Sequence, residues 1–232
     1  MNRVLGAARL QLINPLVSIG IAWAIVALAF AVNLAIWGLA DVDEQAADSN
    51  TGGLAALYIT VLIGFIQAVT MMFPFAMGLS LSRRVFYLGT ALVAVVQGFV
   101  FAVVLTALTA VENVTNGWGV GLDFWAPGPI DVGNPALQVF VFAVPMIAFG
   151  FAGIGLGVLY KRWGTAGIYA LTAAVIVGVG AAVILLSWRR AWDDLGSWLA
   201  DRSVETFTIG LPAVAALALA ALAYVGLRRA VP

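Results

Sequence analysis

The chain has no cysteine, no histidine, a single lysine among eleven basic residues, and only 9% charged residues overall. Each shortage removes a class of chemistry. Without cysteine there is no disulfide, no thiolate nucleophile and no Cys-ligated metal, and the redox compartment stays undefined. Without histidine, a Ser–His hydrolase, a His-bound haem and a zinc site with its usual imidazole ligands cannot be built. That disfavours most intramembrane proteases and acyltransferases. The lone lysine, Lys161, follows Tyr160, so no Gly-Lys-Ser/Thr arrangement exists to cradle a nucleotide phosphate. Zero net charge leaves no spare basic patch for nucleic acid.

A soluble globule carries about a quarter charged residues. At 63% hydrophobic over 232 residues, this chain has length for six membrane spans and little else, so a single transmembrane domain over 1–232 is expected. Arginine outnumbers lysine ten to one and Ala, Val and Gly are abundant, a bias that fits a high-GC bacterial genome; the expected location is the bacterial plasma membrane.

What charge there is has been sorted. All eleven acids fall in the first, third and fifth hydrophilic gaps between six apolar runs. Eight of the eleven bases fall at the N-terminus, in the second and fourth gaps, and at the C-terminus. Lys and Arg are retained on the cytoplasmic side of a bilayer. The N-terminus, the Arg83-Arg84 turn, the Lys161-Arg162 turn and the Arg228-Arg229 tail are therefore expected inside. The predicted fold is all-α and polytopic, with six transmembrane helices and both termini cytoplasmic. Its spans are about 16–39, 54–79, 86–110, 137–160, 165–187 and 209–227, since about 20 apolar residues suffice to cross. The first run greatly exceeds the about 7–15 residues of a signal-peptide core, so it reads as a retained span.

Outside the spans, residues 3–14 read as a cytoplasmic interfacial helix with Leu5, Ala8 and Leu12 on one face, ended at Pro15. The first outer loop, 41–53, is acidic. The long outer loop 111–136 is rich in Gly and Pro but holds Trp118, Phe124 and Trp125, and is predicted to form an ordered cap. In span 4, Gly153 and Gly157 stand one turn apart and can admit a neighbouring helix backbone. The turn 161–164 is so short that spans 4 and 5 are predicted to form an antiparallel hairpin. Between spans 5 and 6, Trp188, Trp192, Leu195 and Leu199 follow helical spacing on one face. Arg189–Asp193 and Arg190–Asp194 lie on the other side as i,i+4 pairs. This predicts one amphipathic helix at the outer membrane interface.

No acid or base occupies the middle of a span. A charge there costs at least about 2.5–3.5 kcal/mol and survives where it carries function, so proton-coupled carriers and ion pumps are disfavoured. The intramembrane polar residues are Asn33, Gln67, Thr70, Gln97, Thr106 and Thr172. Interhelical hydrogen bonding, worth about 0.6–2 kcal/mol each, is the plainer reading of any one. As path residues, Asn33, Gln67 and Gln97 are the candidates.

The stretch GLSLSRRVFYLGT at 78–90, with Glu112 and the Asn116-to-Gly119 segment (NGWG) after span 3, resembles the membrane subunits of ABC-2-type transporters. The likeness is greatest to small permeases of Gram-positive bacteria. It covers the layout of the whole chain but only about 40 residues of recognisable motif. The resemblance implies a permease subunit, not itself an enzyme, of an ATP-driven exporter. It further implies a homodimer or heterodimer of permeases with separate ATPase subunits that bind ATP and Mg, this chain binding no cofactor and no metal. By position, Ser80, Ser82, Arg83, Arg84 and Phe86 would form the element that couples to the ATPase. Paired guanidiniums suit bidentate contact with carboxylates, and Phe86 would be an apolar anchor. The arginines alone could equally be topology anchors. The alternative reading is a non-transporting membrane partner, such as an immunity or assembly protein, binding a peptide or lipid through loop 111–136 and the tryptophans at 188–199. A passive channel is a third.

Overall fold

The computed structural model of the protein describes residues 2–11, 19–39 and 52–228. Leu12, the break at Pro15, the acidic stretch 41–51 and Arg229 lie outside the described residues.

A chain this apolar satisfies its backbone within each segment, and among the described residues no strand occurs. The helices are α1 (Asn2–Gln11), α2 (Ile21–Leu39), α3 (Gly53–Gly78), α4 (Arg83–Val114), α5 (Pro135–Arg189), α6 (Trp192–Ala200) and α7 (Leu211–Arg228). A wider helical turn, Thr206–Gly210, leads into α7. Among the described residues, α2, α3, α4, α5 and α7 with its lead-in are long and apolar enough to cross a membrane.

At 55 residues, α5 would be about 80 Å long if straight, far more than the roughly 30 Å hydrocarbon core of a bilayer. It is not straight. Gly164 adopts φ 62° and ψ −151°, a region essentially reserved for glycine. A methyl group added at Gly167 would lie 3.5 Å from the Leu159 carbonyl oxygen, whereas eight residues of straight helix span about 12 Å. The chain therefore doubles back at Gly164, separating a first half (135–163) from a second (165–189).

The core is built by α3, α4 and the first half of α5. Leu57, Phe65, Phe73, Phe101, Leu105, Phe142, Met146 and Ile154 are buried there. Small residues make the close approach possible. A methyl at Gly153 would overlap the Leu62 carbonyl oxygen, and one at Gly157 would come 2.7 Å from Val69 Cβ. Both glycines thus face α3.

The N-terminal helix is held by a neighbouring helix: α1 buries Ala7 and Ala8 and leaves Leu5 exposed. Its partner is α4, where the bare backbone of Gly89 admits it: a methyl there would sit 2.8 Å from Ala7 Cβ. Gln11 Nε2 donates to Thr90 Oγ1 across the same contact. On the other side of α4, Tyr87 Oη donates to the Ala220 carbonyl of α7 at 2.7 Å.

These contacts give the molecule two chemically distinct ends. At one, Arg83 Nη1 donates to the carbonyl of Arg228 at 2.8 Å, and α1 with Arg9 rests on the first turns of α4. At the other end of α4 stand Glu112 and the pair formed by Asn113 Nδ2 and Asp131 Oδ2 at 2.7 Å. We refer to them as the basic and acidic ends.

Candidate functional site

At the basic end, α3 stops through a pair of backbone bonds: Leu81 N–H to the Ala76 carbonyl at 3.1 Å and Ser80 N–H to the Met77 carbonyl at 3.0 Å. This pattern needs a left-handed residue just past the helix. Ser80 supplies it at φ 58°, although glycine is the usual occupant. Two residues later Ser82 caps α4, its Oγ accepting from Val85 N–H at 3.3 Å. The turn from 79 to 82 is therefore held by the chain itself at both sides.

The five residues expected to couple to an ATPase separate into two groups. Ser80, Ser82 and Arg84 are exposed. Arg83 is half-buried and committed to the last carbonyls of α7, where a cation also complements the helix dipole. Phe86 is buried at 2% exposure and packs on Phe73, ring centroids 5.4 Å apart. Its role as an apolar anchor for another chain is corrected accordingly: the ring belongs to the subunit's own core. Leu79, exposed beside Ser80, is the apolar side chain the turn actually presents.

The intramembrane polar residues are mostly self-contained. Asn33 Nδ2 donates to the Ala29 carbonyl at 2.8 Å. Thr70, Thr106 and Thr172 donate to Ile66, Ala102 and Ile168 within their own helices at 2.9, 2.8 and 3.0 Å. Expected interhelical bonds at these positions are thus replaced by bonds to the carbonyl four residues back, which a threonine can always reach. Gln67 is exposed and Gln97 half-buried. Gln97 is one of the residues around a groove of about 280 Å³ between α1 and α4, beside Ile19.

The acidic end carries the strongest polar cluster, and its centre is Glu112. This carboxylate is 2% exposed. Oε2 accepts from Trp118 Nε1 and from Phe124 N–H, each at 3.0 Å, and Oε1 accepts from Trp125 N–H at 3.1 Å. A buried charge is tolerable when its lone pairs are filled in this way. The result ties the loop 115–134 to the top of α4. Phe30 of α2 meets Trp118 and Phe124 edge-on at 5.0 and 5.2 Å, and Leu122, Phe124 and Trp125 are buried. Gln138 closes the far side, accepting from Val132 N–H at 3.0 Å and donating to the Ile130 carbonyl at 3.1 Å. The sequence carried one signal of this: a single acid at the end of an apolar run, followed by glycine and tryptophan.

The expected amphipathic outer helix is broken. Arg190 takes φ 52°, and Ala191 N–H returns to the Leu186 carbonyl at 3.0 Å, so Trp188 lies in the last turn of α5 while Trp192, Leu195 and Leu199 sit on α6. The break removes Arg189 and Arg190 from the helix of Asp193 and Asp194, so the proposed i,i+4 pairs have no common helix. Trp192 Nε1 donates to Ser187 Oγ across the break at 3.1 Å. Trp188, Trp192 and Trp198 remain exposed.

No known family model, curated protein or solved structure matches the chain. Its function is read from the arrangement described above.

Proposed function

We propose that the protein is the membrane-spanning subunit of an ATP-driven ABC-2-type exporter, coupled to a separate cytoplasmic ATPase. The observation that carries this reading is the basic end. There a rigid, exposed turn offers Leu79, Ser80, Ser82 and Arg84, braced from behind by Arg83 on α7 and by Phe86 in the core. A lever that receives force from another protein needs a docking surface and a stiff attachment, and this turn has both. The GLSLSRRVFYLGT resemblance points to the same element.

The reversal at Gly164 supports a reading with six crossings, because each half of α5 is long enough for one. With six crossings and the basic end inside, both termini are cytoplasmic in a bacterial plasma membrane. Six helices enclose little, so the working unit is a dimer of permeases. ATP binding brings the ATPases together, pushes on the turns and rocks the two bundles.

The second reading, a non-transporting partner working through its outer face, draws on the exposed tryptophans at the acidic end. One experiment separates the two. The chain is affinity-purified from its native membrane and the eluate is assayed for ATP hydrolysis, beside an Arg84→Glu variant. Arg84 is exposed, so the substitution spares the fold. The exporter reading predicts ATPase activity with the wild type and its loss with the variant. No ATPase with the wild type, or equal amounts with both, contradicts it.

A further inference from the structure

The tryptophans around α6 serve neither the coupling turn nor the Glu112 cap. At 3.6 residues per turn, Trp192, Leu195, Trp198 and Leu199 fall within a sector of about 120°, and Asp193, Asp194 and Ser197 share the opposite side. No residue of α6 is buried, so its apolar face is not matched by anything among the described residues.

Two contacts fix where α6 stands. At its start, Trp192 Nε1 donates to Ser187 Oγ, in the last turn of α5, at 3.1 Å. Near its end, Trp198 meets Phe207 edge-on with ring centroids 6.3 Å apart, and Phe207 belongs to the turn Thr206–Gly210 that leads into α7. A nine-residue helix is about 13 Å long. Tied at both ends, α6 runs from the end of one apolar helix to the start of the next instead of projecting away from them. α5 and α7 with its lead-in are long and apolar enough to cross a membrane, which puts α6 at the level where they leave it. The second half of α5 is itself exposed at every residue from 169 to 185, so it lends α6 no cover.

We propose that α6 lies in the headgroup layer of the bilayer, with Trp192, Leu195, Trp198 and Leu199 set into the acyl boundary and Asp193, Asp194 and Ser197 facing water. Depth and indole chemistry together select a lipid surface as the occupant. Tryptophan concentrates at this level because its ring is apolar while its N–H needs an acceptor. Trp198 Nε1 has no acceptor among the described residues, and lipid ester and phosphate oxygens supply one there. The Arg202 guanidinium, 5.1 Å from the Trp198 ring centroid, is placed to reach a phosphate from the same spot. Trp188, exposed in the last turn of α5, adds another indole beside it. The left-handed Arg190 is then the corner that turns the chain from crossing the membrane to running along it. The proposal rests on the crossings of the six-span reading and not on an ATPase.

The test is a nitroxide scan of the full chain in vesicles of phosphatidylethanolamine and phosphatidylglycerol, with every tryptophan kept. The sequence has no cysteine, so each label goes on one introduced residue: Leu195→Cys or Leu199→Cys on the apolar face, Asp193→Cys or Ser197→Cys on the polar face. Collisions with oxygen report lipid, and collisions with a water-soluble nickel chelate report water. Nickel collisions should be several-fold lower at 195 and 199 than at 193 and 197, with oxygen collisions higher. Equal nickel access at all four positions overturns the proposal, since α6 then stands clear of the bilayer. Shielding of 195 and 199 from both reagents also overturns it, because protein and not lipid then covers the face. A label at Ile176→Cys, exposed midway along the second half of α5, separates the two levels of the argument. Oxygen-rich and nickel-poor collisions there keep the crossing intact even where α6 fails, whereas nickel access there removes the crossing and the α6 proposal together.

Discussion

Between 135 and 163, α5 buries Phe142, Met146, Gly153, Ile154 and Gly157 against its neighbours, whereas from 169 to 185 every residue is exposed. Both halves are apolar and both contain paired glycines. In the first, Gly153 and Gly157 meet α3 directly; in the second, Gly178 and Gly180 have open space around them. Hydrophobicity therefore decides that a segment enters a membrane, while small residues in register with a partner decide that it packs. In the proposed assembly the second half is covered by lipid or by another permease subunit.

The largest expected effect tests this contrast directly. Gly153→Leu puts a side chain into the Leu62 carbonyl and should cost about 3 kcal/mol by overpacking. Gly178→Leu in the exposed half should be close to neutral. Unfolding in detergent micelles measures both, and similar losses at the two sites would dissolve the distinction.

Next comes the cap over the packed half. Glu112→Ala strands the N–H groups of Phe124 and Trp125, at about 2–3 kcal/mol for buried donors left without partners. Glu112→Gln should cost less, because its carbonyl can still accept. Trp192→Ala on α6, which is exposed, should leave the unfolding transition of the isolated chain unchanged. Protease protection of the loop 115–134 provides an independent readout for the two Glu112 variants.

The joint between the halves is Gly164. Its φ and ψ are poorly accessible to any side chain, so Gly164→Ala should destabilise by about 1–3 kcal/mol. Equal stability of the alanine variant would mean that the two halves form one bent helix. The smallest effect has the opposite sign. Ser80 occupies a left-handed position, and Ser80→Gly should stabilise by about 0.5–1 kcal/mol in the same assay.

Much of this was legible from residue order, for identifiable reasons. The separation of Arg83, Arg84 and Arg228 from Glu112 and Asp131 follows from charge, which local packing hardly alters. The turn at Gly164 follows from a short basic interruption ending in glycine. Other features depended on tertiary contact. Nothing in the spacing of Trp188 and Trp192 announces that Arg190 turns left-handed, since arginine and tryptophan are both acceptable in a helix. The docking of α1 is set by Gly89 on a distant helix, invisible to any reading of α1 alone. The burial of Phe86 likewise comes from Phe73 on another helix, so its neighbours Arg83 and Arg84 gave no warning of it.

The absence of cysteine makes the central claim, that the chain doubles back at Gly164 and keeps its basic end on one side of the membrane, directly measurable. Single cysteines at Ser82, Trp163 and Ser203 are tested with a membrane-impermeant thiol reagent in sealed vesicles of known orientation. The account predicts that Ser82→Cys and Trp163→Cys react only from the cytoplasmic side, and Ser203→Cys only from the opposite side. Labelling of Trp163→Cys and Ser203→Cys from the same side, or of Ser82→Cys and Trp163→Cys from opposite sides, contradicts it.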